Sequence, residues 1–236
     1  MPSTSCRAHA GLLLYYGAGE VATLARYERV VLQPEHYTAA ELRDLTADAG
    51  AALEGAQPDL AWDGSFVVSE WIRFGARADQ HVALVRIEVE SGERTVLVDE
   101  PGVDAESARI SPDGSTIAYV RTAHSSPDAA PRPRLVLRDL ASGAERELLG
   151  GWDNWPGTRE WLHSGAGLVM AADDDGRSPL FYVPAGGGLP VRLTDEGAYS
   201  NITVAPDDAS VVALRTSYEY PNEPVRVSLA GVTDPG

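Results

Sequence analysis

A chain of 236 residues, 44% of them hydrophobic, holds enough apolar side chains for one large all-β domain or two smaller ones. All 19 basic residues are arginine against 35 acidic ones, and the formal net charge of −16 repels phosphate backbones, so a nucleic-acid partner is excluded. Cys6 is the single cysteine, which rules out an intrachain disulfide or a cysteine-based metal cluster.

Residues 1–56 read as a short α/β segment. The apolar stretch at residues 10–16 follows one arginine, Arg7, and is too short for a secretory signal. No run of about 18 apolar residues occurs, so a cytoplasmic protein with no membrane partner is expected. Gly11-Leu-Leu-Leu-Tyr-Tyr16, ending in Gly17-Ala-Gly19, has the pattern of a buried strand and a turn. Gly17 and Gly19 lack the third glycine or the Gly-Lys-Ser/Thr continuation of a phosphate loop. Residues 21–27 predict a short helix, and residues 29–33 a second strand stopped by Pro34. Thr38 and Glu41 have capping-box spacing and open a helix over residues 39–49. Leu42 and Leu45 share its apolar face, and Gly50 is its C-cap.

From Pro58 the helical periodicity gives way to short β-branched runs between Asp, Gly and Pro turns. Asp63-Gly-Ser-Phe-Val-Val-Ser69 is echoed by Asp113-Gly-Ser-Thr-Ile-Ala-Tyr119, Ser164-Gly-Ala-Gly-Leu-Val-Met170 and Asp207-Asp-Ala-Ser-Val-Val-Ala213. The turn residues Gly64, Gly114, Gly165 and Asp208 are 50, 51 and 43 residues apart. A second landmark, at Gly92, Gly143 and Gly187, keeps step at intervals of 51 and 44. Two landmarks moving together at such periods mark β-propeller blades, each stable only when stacked on its neighbours. The expected fold is mainly β: a partial propeller of about four blades over residues 57–236, preceded by the α/β segment. The blades are expected at about residues 57–100, 101–150, 151–195 and 196–232, the last short of its final strand.

Ile110-Ser-Pro-Asp-Gly-Ser-Thr-Ile-Ala-Tyr-Val120, Leu135-Val-Leu-Arg-Asp-Leu-Ala-Ser-Gly143, Trp161-Leu-His-Ser-Gly-Ala-Gly-Leu, Ala171-Ala-Asp-Asp-Asp-Gly-Arg-Ser-Pro-Leu-Phe181 and Val191-Arg-Leu-Thr-Asp195 resemble the N-terminal propeller of the prolyl oligopeptidase (S9) family of serine peptidases, in its acylaminoacyl-peptidase-like branch. TolB-like propellers share the Ser-Pro-Asp-Gly element. The S9 resemblance implies a propeller that gates substrate access to an α/β-hydrolase domain, with a nucleophile on a Gly-x-Ser-x-Gly elbow. No such elbow occurs in this sequence. It therefore implies a non-catalytic propeller that binds peptide or protein, needs no cofactor or metal, and works with a separate or missing hydrolase domain. A TolB-like protein-interaction module is the alternative. The N-terminal segment, from Leu14-Tyr-Tyr-Gly through Leu24-Ala-Arg-Tyr-Glu-Arg-Val-Val-Leu-Gln-Pro-Glu-His-Tyr-Thr38, resembles the opening of polygalactosaminidase-like (spherulin-4-related) glycosidase barrels. That resemblance implies a glycosidase remnant with Glu35, His36 and Tyr37 as sugar contacts. One βα piece cannot close a barrel, so the two segments read as partial domains joined near residues 50–57 by a natural fusion or in a chimeric or truncated frame.

Trp152, Trp155 and Trp161 cluster before the third blade and are the candidate ligand or channel contacts, weighed against packing between sheets. His81, His124 and His163 fall on different blades with no nucleophile elbow, so no catalytic triad is expected. Asp173-Asp-Asp-Gly176 lacks the alternating ligands and distal glutamate of a calcium loop and reads as a turn. Pro127, Pro131 and Pro133 make residues 125–134 an extended loop able to project. An open ring leaves unpaired strand edges, which predicts self-association.

Overall fold

The computed structural model describes residues 12–15, 23–26, 43–76 and 79–232. Ahead of the repeats, β1 (Leu12–Tyr15), β2 (Thr23–Arg26) and β3 (Arg43–Asp44) pair in that order as an antiparallel sheet. Where helices are expected at residues 21–27 and 39–49, the described residues therefore hold the strands β2 and β3, and the chain next coils into a single 3-10 turn, Gly50–Leu53. The cause is tertiary. Asp44 accepts the Thr46 amide at 2.8 Å and turns the chain. Leu45, 5% exposed, packs against Val67, Val85 and Ile87. Its carbonyl, which a helix would bond internally, instead accepts Arg94 Nη2 at 2.9 Å, and Asp48 Oδ1 receives the same nitrogen at 2.5 Å. Local helix propensity is a weak preference that such packing overrides. The strand expected at residues 29–33, Thr38, Glu41, Gly17, Gly19, Glu35, His36 and Tyr37 lie outside the described residues.

Four antiparallel meanders follow, each in chain order. Blade I comprises β4 (Asp59–Leu60), β5 (Phe66–Phe74), β6 (Gln80–Glu88) and β7 (Arg94–Val98). Blade II comprises β8 (Val103–Ile110), β9 (Thr116–Ala123), β10 (Arg132–Asp139) and β11 (Glu145–Glu147). Blade III comprises β12 (Pro156–Trp161), β13 (Gly167–Ala172), β14 (Leu180–Pro184) and β15 (Val191–Arg192). Blade IV has β16 (Ala198–Val204), β17 (Ser210–Thr216) and β18 (Glu223–Ser228), and no fourth strand among the described residues.

The repeat seen in the sequence is a repeat of hydrogen bonds. The turn residue's amide bonds the carbonyl three residues back in every blade: Gly64 to Ala61 at 2.8 Å, and Gly114 to Ser111, Gly165 to Leu162 and Asp208 to Ala205 at 2.9 Å. All four sit at positive φ, between 55° and 75°, which explains the glycines. In blades I and II the turn is locked further by Asp63 Oδ1 on Ser65 N at 2.9 Å and Asp113 Oδ1 on Ser115 N at 3.0 Å. The Asp173-Asp-Asp-Gly176 stretch is likewise a turn: Asp175 and Gly176 take φ of 49° and 75°, and Asp174 and Arg177 exchange backbone bonds of 2.9 and 3.0 Å.

Blades I to III bury both faces, and blade IV buries the face turned to blade III. On blade III, Leu168, Met170, Phe181 and Val183 pack against Leu135 and Leu137 of blade II. The alternate residues Val169, Ala171, Leu180 and Tyr182 pack against Tyr199, Ile202 and Val211 of blade IV. Every residue of β13 is consequently buried. The first strands β4, β8, β12 and β16 contact one another in succession and form the inner edge of the array.

Candidate functional site

The inner strands are not regular. β8, β12 and β16 each carry a bulge against the next strand of their blade, between Glu106 and Arg109, Pro156 and Arg159, and Ser200 and Thr203. Ser107 and Asn201 occupy two of these bulges at φ of 54° and 50°, a conformation that L-residues hold only when their surroundings impose it. Bulges re-aim side chains, and they recur beside binding and active sites.

Alignment of the blades on their turn residues shows what has been re-aimed. Six residues before the turn residue stand Pro58, Ala108, Arg159 and Ile202. Ala108 and Ile202 fill the inter-blade core at 1% and 5% exposure, and blade III puts the guanidinium of Arg159 in the same slot at 2% exposure. Its Nη1 donates to Gly157 O at 2.8 Å and its Nη2 to Ser107 O at 2.7 Å. Nε has no hydrogen-bond partner, and no carboxylate of the described residues lies within ion-pair distance. Burial pushes the Arg159 pKa down to about 9. The balancing charge is one residue removed: Ser107 N donates to Glu70 Oε1 at 2.6 Å, and Gln57 N to Glu70 Oε2 at 3.0 Å. Glu70, Ser107 and Arg159 thus join blades I, II and III in one polar chain. A cavity of about 300 Å³ opens beside it, lined by Gln57, Ser107, Arg109, Gly157 and Arg159 among others.

Five residues before each turn residue, the inner edge presents Asp59, Arg109, Glu160 and Thr203. Asp59 Oδ2 accepts Ile110 N from blade II at 2.7 Å, and Arg109 Nε stands 4.0 Å from Glu160 Oε1 of blade III. Burial raises the carboxyls of Asp59, Glu70 and Glu106, and it pushes Glu160 from 4.5 up to about 7. These native carboxyls keep protons that the unfolded chain releases, so stability falls as pH rises from about 4.5 to about 7 and then levels off. The melting temperature is expected to be higher at pH 5 than at pH 7.5, and Glu160→Gln should flatten that slope. Screening at the 44% exposed Glu160 side chain holds its share to about 1 kcal/mol. A melting temperature that rises across this interval would contradict the arrangement.

At the opposite end of the inner strands lie the turns. Asp208 replaces glycine at the fourth turn, and its two carboxylate oxygens accept His163 N at 2.7 Å and Ser164 N at 2.8 Å, tying blade IV to blade III. Burial raises the Asp208 carboxyl, but the bonds from Ser164 and His163 outweigh it and leave it below its ordinary value. The His163 ring meets Trp62 of blade I edge-on, with centroids 4.6 Å apart. Between the turns of blades II and III is a second pocket of about 560 Å³.

The structure keeps Trp152 and Trp161 in one core, between blades II and III, and sets Trp155 apart from it. Trp161, 5% exposed, is a packing residue between blades II and III whose Nε1 donates to Arg109 O at 2.9 Å, and it also lines the larger pocket. Trp152 is half-buried edge-on to Phe181, 5.1 Å between centroids. Trp155 is 56% exposed and directly precedes β12, at the end of that strand away from Trp161. The histidines also stay apart. His81 Nε2 is 2.7 Å from Asp99, His124 Nε2 is 3.1 Å from Asp104, and His163 faces Asp208. Ser111 and Ser115 bond Asp113 instead of an imidazole.

No family model matches the chain. TolB from Acinetobacter baumannii superposes with a TM-score of 0.64 at 16% identity, over 90% of this chain and 47% of that one. A Mycobacterium tuberculosis puromycin-hydrolysing peptidase gives 0.60 at 16% identity, over 95% of this chain and 38% of that one. Dipeptidyl-peptidase 5 of Aspergillus oryzae is 29% identical over 182 residues, 68% of this chain and 24% of that protein. The likeness is one of fold, shared with TolB and with the puromycin-hydrolysing peptidase. A probable dipeptidyl-peptidase 5 of Aspergillus clavatus matches this S9-like propeller at 31% identity over 126 residues, 48% of the chain and 17% of that protein. The chain thus spans a quarter or less of the length of these curated relatives. Among the described residues, no helix is long and apolar enough to cross a membrane.

Proposed function

We propose that this S9-like propeller is a binding and gating module that engages peptide segments at the inner edge of its blades and has no catalytic nucleophile of its own. One observation carries the reading: blade III places the buried Arg159 in a slot that blades II and IV fill with Ala108 and Ile202, beside a cavity and next to the charged row Asp59, Arg109 and Glu160. A buried guanidinium adds little to stability over an apolar side chain of similar volume in such a slot, whereas charged and carbonyl groups along a cleft suit a peptide backbone and its termini. The dipeptidyl-peptidase name of the curated relatives points to the same ligand class. No Gly-x-Ser-x-Gly elbow occurs in the sequence, and on this reading any hydrolysis belongs to another domain.

The test is calorimetric titration with C-terminally amidated tri- and tetrapeptides. Saturable binding weakened about tenfold in the Arg109→Ala/Glu160→Gln double variant is the expected result. Unchanged affinity in that variant would remove the inner edge from the site. A folded protein partner is the second reading, favoured by the exposed Trp155 beside the cavity residue Pro156. It predicts no peptide binding and loss of the protein complex in Trp155→Ala.

A further inference from the structure

The larger pocket, at the turn end of the inner strands, is explained by comparing one blade junction with the next. Between blades III and IV the corresponding space is filled by the Asp208 carboxylate, bonded to the amides of His163 and Ser164. Between blades II and III the carboxylate and one of the two amides of that link are missing. The turn residue is Gly165, and a Cβ built on it would meet nothing within 4 Å. Pro112, which has no amide hydrogen, stands where blade III has His163. About 560 Å³ is left open, within the range of small-ligand sites.

The groups around this space have a definite chemistry. Leu137, Trp161 and Ala185 give it an apolar wall. Arg146 reaches its rim, where Nη2 donates to Ala185 O at 2.5 Å, and no carboxylate of the described residues pairs with it. His163 Nδ1 is buried without a hydrogen-bond partner, 3.9 Å from Asp208 Oδ1. The one acidic side chain in the lining, Asp113, already accepts bonds from Ser111 and Ser115 at 2.6 to 3.0 Å.

We propose that this pocket binds a carboxylate attached to a small apolar group, in the place that the Asp208 carboxylate occupies one junction further on. Arg146 is its counter-ion, His163 lies alongside, and the apolar group rests on Trp161. A single acylated amino acid and the C-terminus of a peptide carry the same chemistry. The site lies at the end of β12 remote from the inner-edge cavity, so the two readings stand or fall separately.

The experiment uses the full chain, as the parent and as the Arg109→Ala/Glu160→Gln variant that weakens peptide binding at the inner edge, and the acid–amide comparison is read in that variant. The four probes are N-acetyl-leucine, its amide, and an acetylated tripeptide ending in leucine as free acid or amide. Binding of the acids, with each amide at least about tenfold weaker, is expected. Binding of the tripeptide acid alone identifies a chain terminus; binding of both acids identifies a small carboxylate. Arg146→Ala should weaken either acid about tenfold. Gly165→Asp carries the internal carboxylate into the pocket, and Asp208 shows that aspartate accepts this backbone conformation. It should abolish acid binding and melt higher than Gly165→Ala, which shares its backbone strain. The Arg109→Ala/Glu160→Gln variant should bind the acids as the parent does. The proposal is overturned if neither acid binds at 10 mM (about the weakest affinity worth a site), if amides bind as well as acids, or if folded Arg146→Ala keeps full affinity. Should Gly165→Asp fail to fold, Arg146→Ala and the amide comparison still decide.

Discussion

Arg159→Ala is expected to destabilise the protein by about 3 kcal/mol, a fall in melting temperature of roughly 10 °C for a chain of this size. Truncation removes the donors from Gly157 O and Ser107 O and leaves Glu70, 9% exposed, with Arg109 as the remaining one of its two nearby positive charges. It also releases one of the two bonds that hold Ser107 at positive φ. Because Ile202 occupies the equivalent slot, Arg159→Ile should refill the space and recover part of the loss, while still weakening amidated peptides at the inner edge. In a double-mutant cycle, Glu70→Gln and Arg159→Ala should couple by about 1 kcal/mol or more, transmitted through Ser107. Chemical denaturation of the four proteins measures it. Additive effects would mean that Glu70 and Arg159 do not sense each other.

Gly167→Ala is the second substitution expected to act strongly, at about 3 kcal/mol, and conformational freedom is not the reason. A Cβ at this position would lie 2.5 Å from Val183 O and 2.6 Å from Tyr182 Cε2. Blades I, II and IV place Phe66, Thr116 and Ser210 at the aligned position, so the clash is particular to blade III, where the Tyr182 ring lies across the strand. Overpacking a buried central strand forces backbone shifts, and here the closest obstacle is itself backbone. Adding Tyr182→Ala should relieve only the ring clash and leave the double variant well below the parent. The control is Thr116→Gly in blade II, expected to cost about 1 kcal/mol for lost packing and added chain entropy. Thermal melts that place Gly167→Ala above Thr116→Gly would refute the steric account.

Much of the repeat array was legible because its signals are local. An Asp-Gly step needs positive φ wherever it stands, and Asp63 and Asp113 lock their own turns through Ser65 and Ser115 two residues away. The helix expected over residues 39–49 was misread for the converse reason: the fate of the Leu45 carbonyl is decided by Arg94, far along the chain. The tryptophan grouping holds in part: Trp152 and Trp161 share the core between blades II and III, while the five residues between Trp155 and Trp161 carry Trp155 to the other end of β12. Arg159 was within reach of sequence reasoning. Setting the blades in register shows an arginine where two of them hold buried apolar residues, a conflict between pattern and slot of the kind that functional sites produce. The bulges were hidden, because Ser107 and Asn201 adopt by tertiary constraint what the sequence would announce with glycine.

The contact between Trp62 and His163 skips a blade, joining I to III across II. Any opening of the fan of blades must part these two rings, whose centroids lie 4.6 Å apart. An indole's emission depends on what its ring touches, so the emission of Trp62, isolated by difference against Trp62→Phe, is a built-in optical gauge of the distance between blades I and III.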